Sequence, residues 1–161
     1  MTSIGVIRTI AIVCTGLAAG IFLGHRRGVS LAGPQLPPSA FVQLQQVIHI
    51  HFVRMMPPLI FAAVGASLTW PVLLRASWRA PEFWLVAVAS LTMLCVLIMT
   101  RAVNVPINAR LMTWKIDAPP AGWAAAWRPW EQVHSIRTVL ACAALVLQVI
   151  ALSMFAIVGS G

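Results

Sequence analysis

An all-α, integral-membrane four-helix bundle is the fold class this sequence predicts. Two observations lead there. Of the 161 residues, 60% are hydrophobic and only 9% are charged, whereas a soluble domain is roughly a quarter charged. Four apolar segments, at about 4–23, 55–74, 83–103 and 130–158, each hold the ~20 residues a helix needs to cross ~30 Å of hydrocarbon. Four short-looped spans make one bundle and leave no material for a second core, so residues 1–161 are expected to form a single domain.

The first span could be confused with a secretory signal. Its N-terminal region carries only Arg8 and its apolar core is long for a signal peptide, so a retained span is expected. Gly16, Gly20 and Gly24 lie four apart on one face. Such a face lets another backbone approach closely, which makes it a candidate surface for a homo-oligomer. The following "HRRGVSLAGPQLPPSA" is assigned to a loop on its Gly, Pro and Ser content, and His25 with it.

Residues 41–54, "FVQLQQVIHIHFVR", hold three Gln, two His and one Arg. They are too polar to face lipid. They form either an interfacial helix or a polar lower half of the second span turned to the bundle interior. Pro57 and Pro58 should then break or kink the chain. "RASWRAP" is short, so the second and third spans should be antiparallel neighbours. After the third span, Asp117, Pro119 and Pro120 suggest a short interfacial helix at about 119–127. Trp114, Trp123, Trp127 and Trp130 have the density of an interfacial aromatic belt. Pro129 and Glu131 suit the first turn of the fourth span.

The formal net charge is +8. The basic residues are scattered over loops and helix ends, without a stripe of interleaved aromatics, which argues against nucleic acid. Loop charge that sets topology and meets anionic lipid accounts for them. Arg26, Arg27, Arg54, Arg101, Arg110, Lys115, Arg128 and Arg137 flank the loops after the first and third spans. The positive-inside rule makes those loops cytoplasmic, in the inner or plasma membrane if the source is bacterial. Cys14, Cys95 and Cys142 sit inside apolar runs without a CxxC pair and are expected to pack as small hydrophobes.

Polar groups at membrane depth need a reason. In "RAVNVPINARL", Arg101, Asn104 and Asn108 share one helical face, and Pro106 frees a backbone carbonyl nearby. Such a stripe can hold an oxygen-bearing ligand or an anion. In "WRPWEQVHSIR", Trp127, Trp130, His134 and Arg137 again share a face, with Glu131 placed to orient His134. An imidazole is suited to general base catalysis and an adjacent arginine to the anion it forms. The structural alternative is interhelical hydrogen bonding, snorkelling arginine and belt tryptophan.

A metal is a further option. His49 and His51 point ~160° apart on a helix, so both cannot hold one ion. His49 is the better inward candidate, since Gln45 and Gln46 lie one turn before it, and it could join His134 in an iron or copper site. His51 is the weaker ligand and shares the face of Arg54. Either could serve as an axial haem ligand. No HxxxH, ExxH or CxxCH motif is present.

"NVPINARLMTW" followed by "PAGWAAAWRPWEQVHSIRTVLA" resembles the anthrone oxygenase-like family of four-span membrane proteins. Asn104, Pro106, Asn108, Trp130, His134 and Arg137 carry the resemblance, over about the last third of the chain. It implies oxidation of an anthrone- or quinol-like apolar aromatic by dioxygen, as fungal relatives convert anthrones to anthraquinones. On that reading His134 is the base. Arg137 and Arg101 stabilise the anion. Asn104 and Asn108 bind substrate oxygens, and Trp127 and Trp130 form a flat wall. The cofactor is none, or a His-ligated iron, copper or haem. The expected partners are membrane lipid and the aromatic small molecule. Two rivals stand beside this oxygenase: a haem- or quinone-binding electron-transfer protein, and a non-enzymatic membrane assembly protein.

Overall fold

The computed structural model describes residues 3–158, with side chains to Met154. Helix α1 spans Ser3–Arg27, and a short α2, Val29–Ala32, follows it. Helix α3 spans Pro38–Leu73 and α4 spans Pro81–Met99. A π turn, Thr100–Asn104, joins α4 to α5, Val105–Leu111. Helix α6 covers Trp123–Val158. No strand occurs among the described residues. Four helical segments, Ser3–Gln35, Pro38–Leu73, Pro81–Leu111 and Trp123–Met154, are long and apolar enough to cross a membrane. Pro38 and Pro81 open their helices in the first turn, where a missing N–H costs nothing.

The helices close into a ring, with α1 packed on α3 and α6, and α4 packed on α3 and α6. The seam of α6 is read directly from burial: Trp127, Trp130, His134, Arg137, Ala141, Ala144, Gln148 and Ala151, alternately three and four residues apart. Arg8, Ala11, Thr15, Ala18, Phe22 and His25 repeat the same spacing on α1. That period is the one that keeps helices in contact over many turns in a left-handed bundle. Alanines dominate its middle because lipid is as apolar as any side chain, so close backbone approach rather than hydrophobic burial drives association. The large apolar residues go outward, as at Phe61, Leu91 and Val139. Of the glycine face, Gly16 packs against Leu145, while a side chain at Gly20 or Gly24 would meet nothing within 4 Å.

Polar ties fix the bundle at two levels. Gln148 Nε2 donates to Ser67 Oγ at 2.8 Å, and Ser90 Oγ donates to the Ser67 carbonyl, joining α3, α4 and α6. Gln46 Nε2 donates to the carbonyls of Leu111 at 3.0 Å and Trp114 at 2.9 Å, closing the end of α5 onto α3.

Four sequence expectations are corrected here. Residues 41–54 are not a separate interfacial helix, because α3 is helical from Pro38 through Pro57 and Pro58 to Leu73. The two prolines delete only the donors for the Val53 and Arg54 carbonyls. Within a bilayer, helix is what satisfies the remaining backbone groups. Residues 119–127 do not form their own helix either. The chain is non-helical up to Gly122, whose φ of 78° suits glycine, and α6 then runs from Trp123 through Pro129. Trp114, Trp127 and Trp130 are not belt residues: they are buried in a cluster with Phe41, Val42 and Leu111. His25 is not in a loop, because α1 continues to Arg27 and its seam carries His25 inward.

Ala144→Leu should destabilise the bundle by about 1–3 kcal/mol, because it overfills a closed seam. Val139→Leu, on the outer face, should change stability by less than about 0.5 kcal/mol. Thermal unfolding of both variants in one detergent checks the contrast.

Candidate active site

The seam of α4 runs Val86, Ala89, Met93, Val96 and reaches Thr100 with the same spacing. Continued as plain α-helix, it would bring Val103 inward next. The π turn inserts one residue: the Val105 N–H bonds to the Thr100 carbonyl, five residues back. Pro106, in the first turn of α5, cannot supply the next helical N–H and crowds the preceding turn. The extra residue rotates Asn104 into the seam, where it is 2% exposed. Arg101, next to Thr100, is exposed and lines the rim of a cavity. Arg101, Asn104 and Asn108 all line that cavity, with Asn104 buried, Asn108 half-buried and Arg101 exposed.

The cavity has a volume of about 180 Å³ and is lined from α1, α3, α4, α5 and α6. The contribution of α1, through Ile21, Phe22 and His25, enlarges the site expected from the last three spans alone. Exposed Val53, Phe61 and Val105 rim it, so it opens sideways between α3 and α5.

At its inner end lies Arg137, 5% exposed. Its Nη1 donates to Thr100 Oγ1 at 2.7 Å and its Nη2 to His134 Nδ1 at 3.1 Å. Its guanidinium sits 4.7 Å from the centre of the Phe22 ring. Every one of these partners is neutral, so among the described residues the cation is buried without a carboxylate partner. A guanidinium only donates, so His134 Nδ1 accepts, and the neutral ring carries its proton on Nε2. Nε2 has no hydrogen bond of standard geometry, although the Phe22 carbonyl is close enough to act on the ring. In this arrangement His134 meets its surroundings as a donor, and its lone pair is already used. That geometry does not support the base role expected of it. Glu131 does not orient it either, since Glu131 Oε1 accepts from Trp127 Nε1 at 3.0 Å.

Aromatic rings stack along the α6 seam. Trp127 and Trp130 are 4.5 Å apart at 18°, and Trp130 and His134 are 4.8 Å apart at 31°. Asn104 Nδ2 donates to the Trp130 carbonyl at 3.3 Å, while its Oδ1 makes no hydrogen bond among the described residues. Gln45 Nε2, Trp130 Nε1 and Arg137 Nε are likewise buried and unbonded. Buried polar atoms left without partners are costly, so their convergence on one cavity marks a place built for a polar group of something else. Asn108 and half-buried His49 also line it, whereas His51 is exposed and does not. Among the described residues no three His, Cys, Asp or Glu side chains come together as a metal-binding group.

The anthrone oxygenase family matches the chain over residues 45–147. This chain belongs to that family. The matched stretch of this anthrone oxygenase family member holds Gln45, Asn104, Asn108, Trp127, Trp130, His134 and Arg137, while α1 precedes it. No curated protein and no solved structure matches the chain.

Sequence reasoning missed His25, Thr100 and Gln45 as a lining group. The alternation of three and four residues that leads through Ala18 and Phe22 to His25, and through Val96 to Thr100, is the signal that could have found the first two. A buried arginine kept for a ligand lowers stability, so Arg137→Met should leave the unfolding temperature unchanged or raised. A purely structural arginine would instead give a clear drop in the same thermal scan.

Proposed function

We propose that this protein is a small integral-membrane oxygenase that uses dioxygen to oxidise an apolar aromatic, anthrone- or quinol-like substrate. One observation carries the reading: the Arg137 guanidinium, buried with only neutral partners, beside a His134 that donates, at the end of an aromatic-walled cavity. A fixed cation and fixed donors in a water-poor site stabilise an anion that develops during reaction and need no rearrangement to do so.

An anthrone fits this chemistry because loss of one ring proton gives an electron-rich oxyanion. That anion adds dioxygen at carbon, the peroxide regains a proton, and loss of water leaves the quinone. One oxygen atom ends in the new carbonyl and the other in water, which makes the reaction a monooxygenation. Arg137 and His134 are assigned to the oxyanion. Asn104, through its unbonded Oδ1, and Asn108 are assigned to substrate hydroxyls. Trp130 forms the wall with Trp127 stacked behind it. The sideways opening suits a substrate dissolved in the bilayer, and Arg101 at the mouth is assigned to entry. A His49–His134 metal site is the alternative route within the same class.

Purified protein in detergent should consume dioxygen when given anthrone and release anthraquinone. Arg137→Met should lower kcat/KM by at least about 100-fold, the scale of losing a main oxyanion donor. No uptake by the wild-type protein, across anthrone and a quinol, overturns the reading. A chelator should leave the uptake unchanged. Loss of uptake that iron or copper restores moves the mechanism to the metal route.

A further inference from the structure

Oxyanion donors alone do not start the reaction; something must take the proton. We infer that His25, on α1 and outside the stretch matched by the family, is the proton acceptor of this site. The inference rests on the oxygenase reading above.

His25 is 8% exposed and lines the cavity. Its ring centre is 4.8 Å from that of His134, edge to face at 81°, and 5.2 Å from that of Trp130. The two imidazoles are therefore in edge-to-face contact, and both touch the Trp130 ring. Their roles differ because their Nδ1 partners differ. His134 Nδ1 faces a guanidinium, which can only donate. His25 Nδ1 faces Ser30 Oγ at 3.4 Å, and a hydroxyl can accept. With its Nδ1–H given to Ser30, His25 keeps the Nε2 lone pair, and no protein group bonds that atom among the described residues.

The step is a proton transfer. The acidic C–H bond of the substrate breaks, the proton goes to His25 Nε2, and the electron pair delocalises onto the ring oxygen held near His134 and Arg137. His49 is the other imidazole on the cavity, but it is on α3 and contacts neither His134 nor Trp130 through its ring. The short α2 matters to this arrangement because it brings Ser30, 7% exposed, back under His25.

The test is solvent-deuterium exchange into the methylene of anthrone without oxygen, followed by mass, run beside dioxygen uptake on the full chain in detergent. Wild-type protein should catalyse both. His25→Ala should slow both by about 100-fold or more, and added imidazole should restore exchange. His25→Gln, which keeps bulk and a partner for Ser30, should also lose exchange, and it serves if the alanine variant does not fold. Wild-type exchange rates in either variant overturn the assignment, and so does a folded His25→Ala that imidazole does not rescue. A wild-type protein inactive in both assays overturns the oxygenase reading itself.

Discussion

A guanidinium enclosed by four membrane helices is the constraint around which this molecule is arranged. Removing a charge from water is costly, and among the described residues Arg137 has no carboxylate partner to offset it. What the bundle supplies instead is a set of neutral acceptors and a ring face: Thr100 Oγ1, His134 Nδ1 and Phe22. Each comes at a seam position, from the π turn at the end of α4, from α6 and from α1. The arginine can stay inside only while all three helices hold their rotation, and that rotation is set by the alanine-rich packing farther along the same seams.

The α6 seam thus changes character along its length without changing its spacing. One half holds Ala141, Ala144 and Ala151 and brings backbones together. The other holds Trp127, Trp130, His134 and Arg137, whose size and polarity keep the helices from closing and leave a cavity. The π turn of Thr100–Asn104 performs the matching adjustment at the end of the neighbouring α4. It turns the Asn104 amide to face the cavity. Extra-residue turns of this kind tend to occur where a helix must present a side chain that its regular period would point elsewhere.

The pairing of the two histidines shows how chemically identical side chains are given different work by their neighbours. A partner that can only donate fixes one tautomer, and a hydroxyl partner permits the other. Neither imidazole needs to differ in burial for this to hold. His134 and His25 are both nearly enclosed.

Four apolar spans, an all-helical fold and the family were legible in the chain, because hydropathy over about 20 residues depends only on local composition and bilayer thickness. The grouping of Trp130, His134 and Arg137 was legible too, since a straight helix keeps its period and α6 is one continuous helix there. What local reading could not reach was anything set by rotation or by a neighbouring helix. Prolines at 57, 58 and 129 look like breaks in the sequence, but the surrounding packing and the lack of water keep α3 and α6 continuous. Asn104 reaches the buried seam only through the extra residue of the π turn. The tryptophans look like a belt until Phe41, Val42 and Leu111 arrive to bury them. His25 reads as a loop residue beside two arginines, and only the packing of α1 against α6 brings it to His134. The sequence by itself determined that there would be helices, how many would cross and which residue types had to be hidden. The tertiary structure decided which of them meet, because an α-helix fixes the angle between its own side chains but not the direction in which it faces its neighbours.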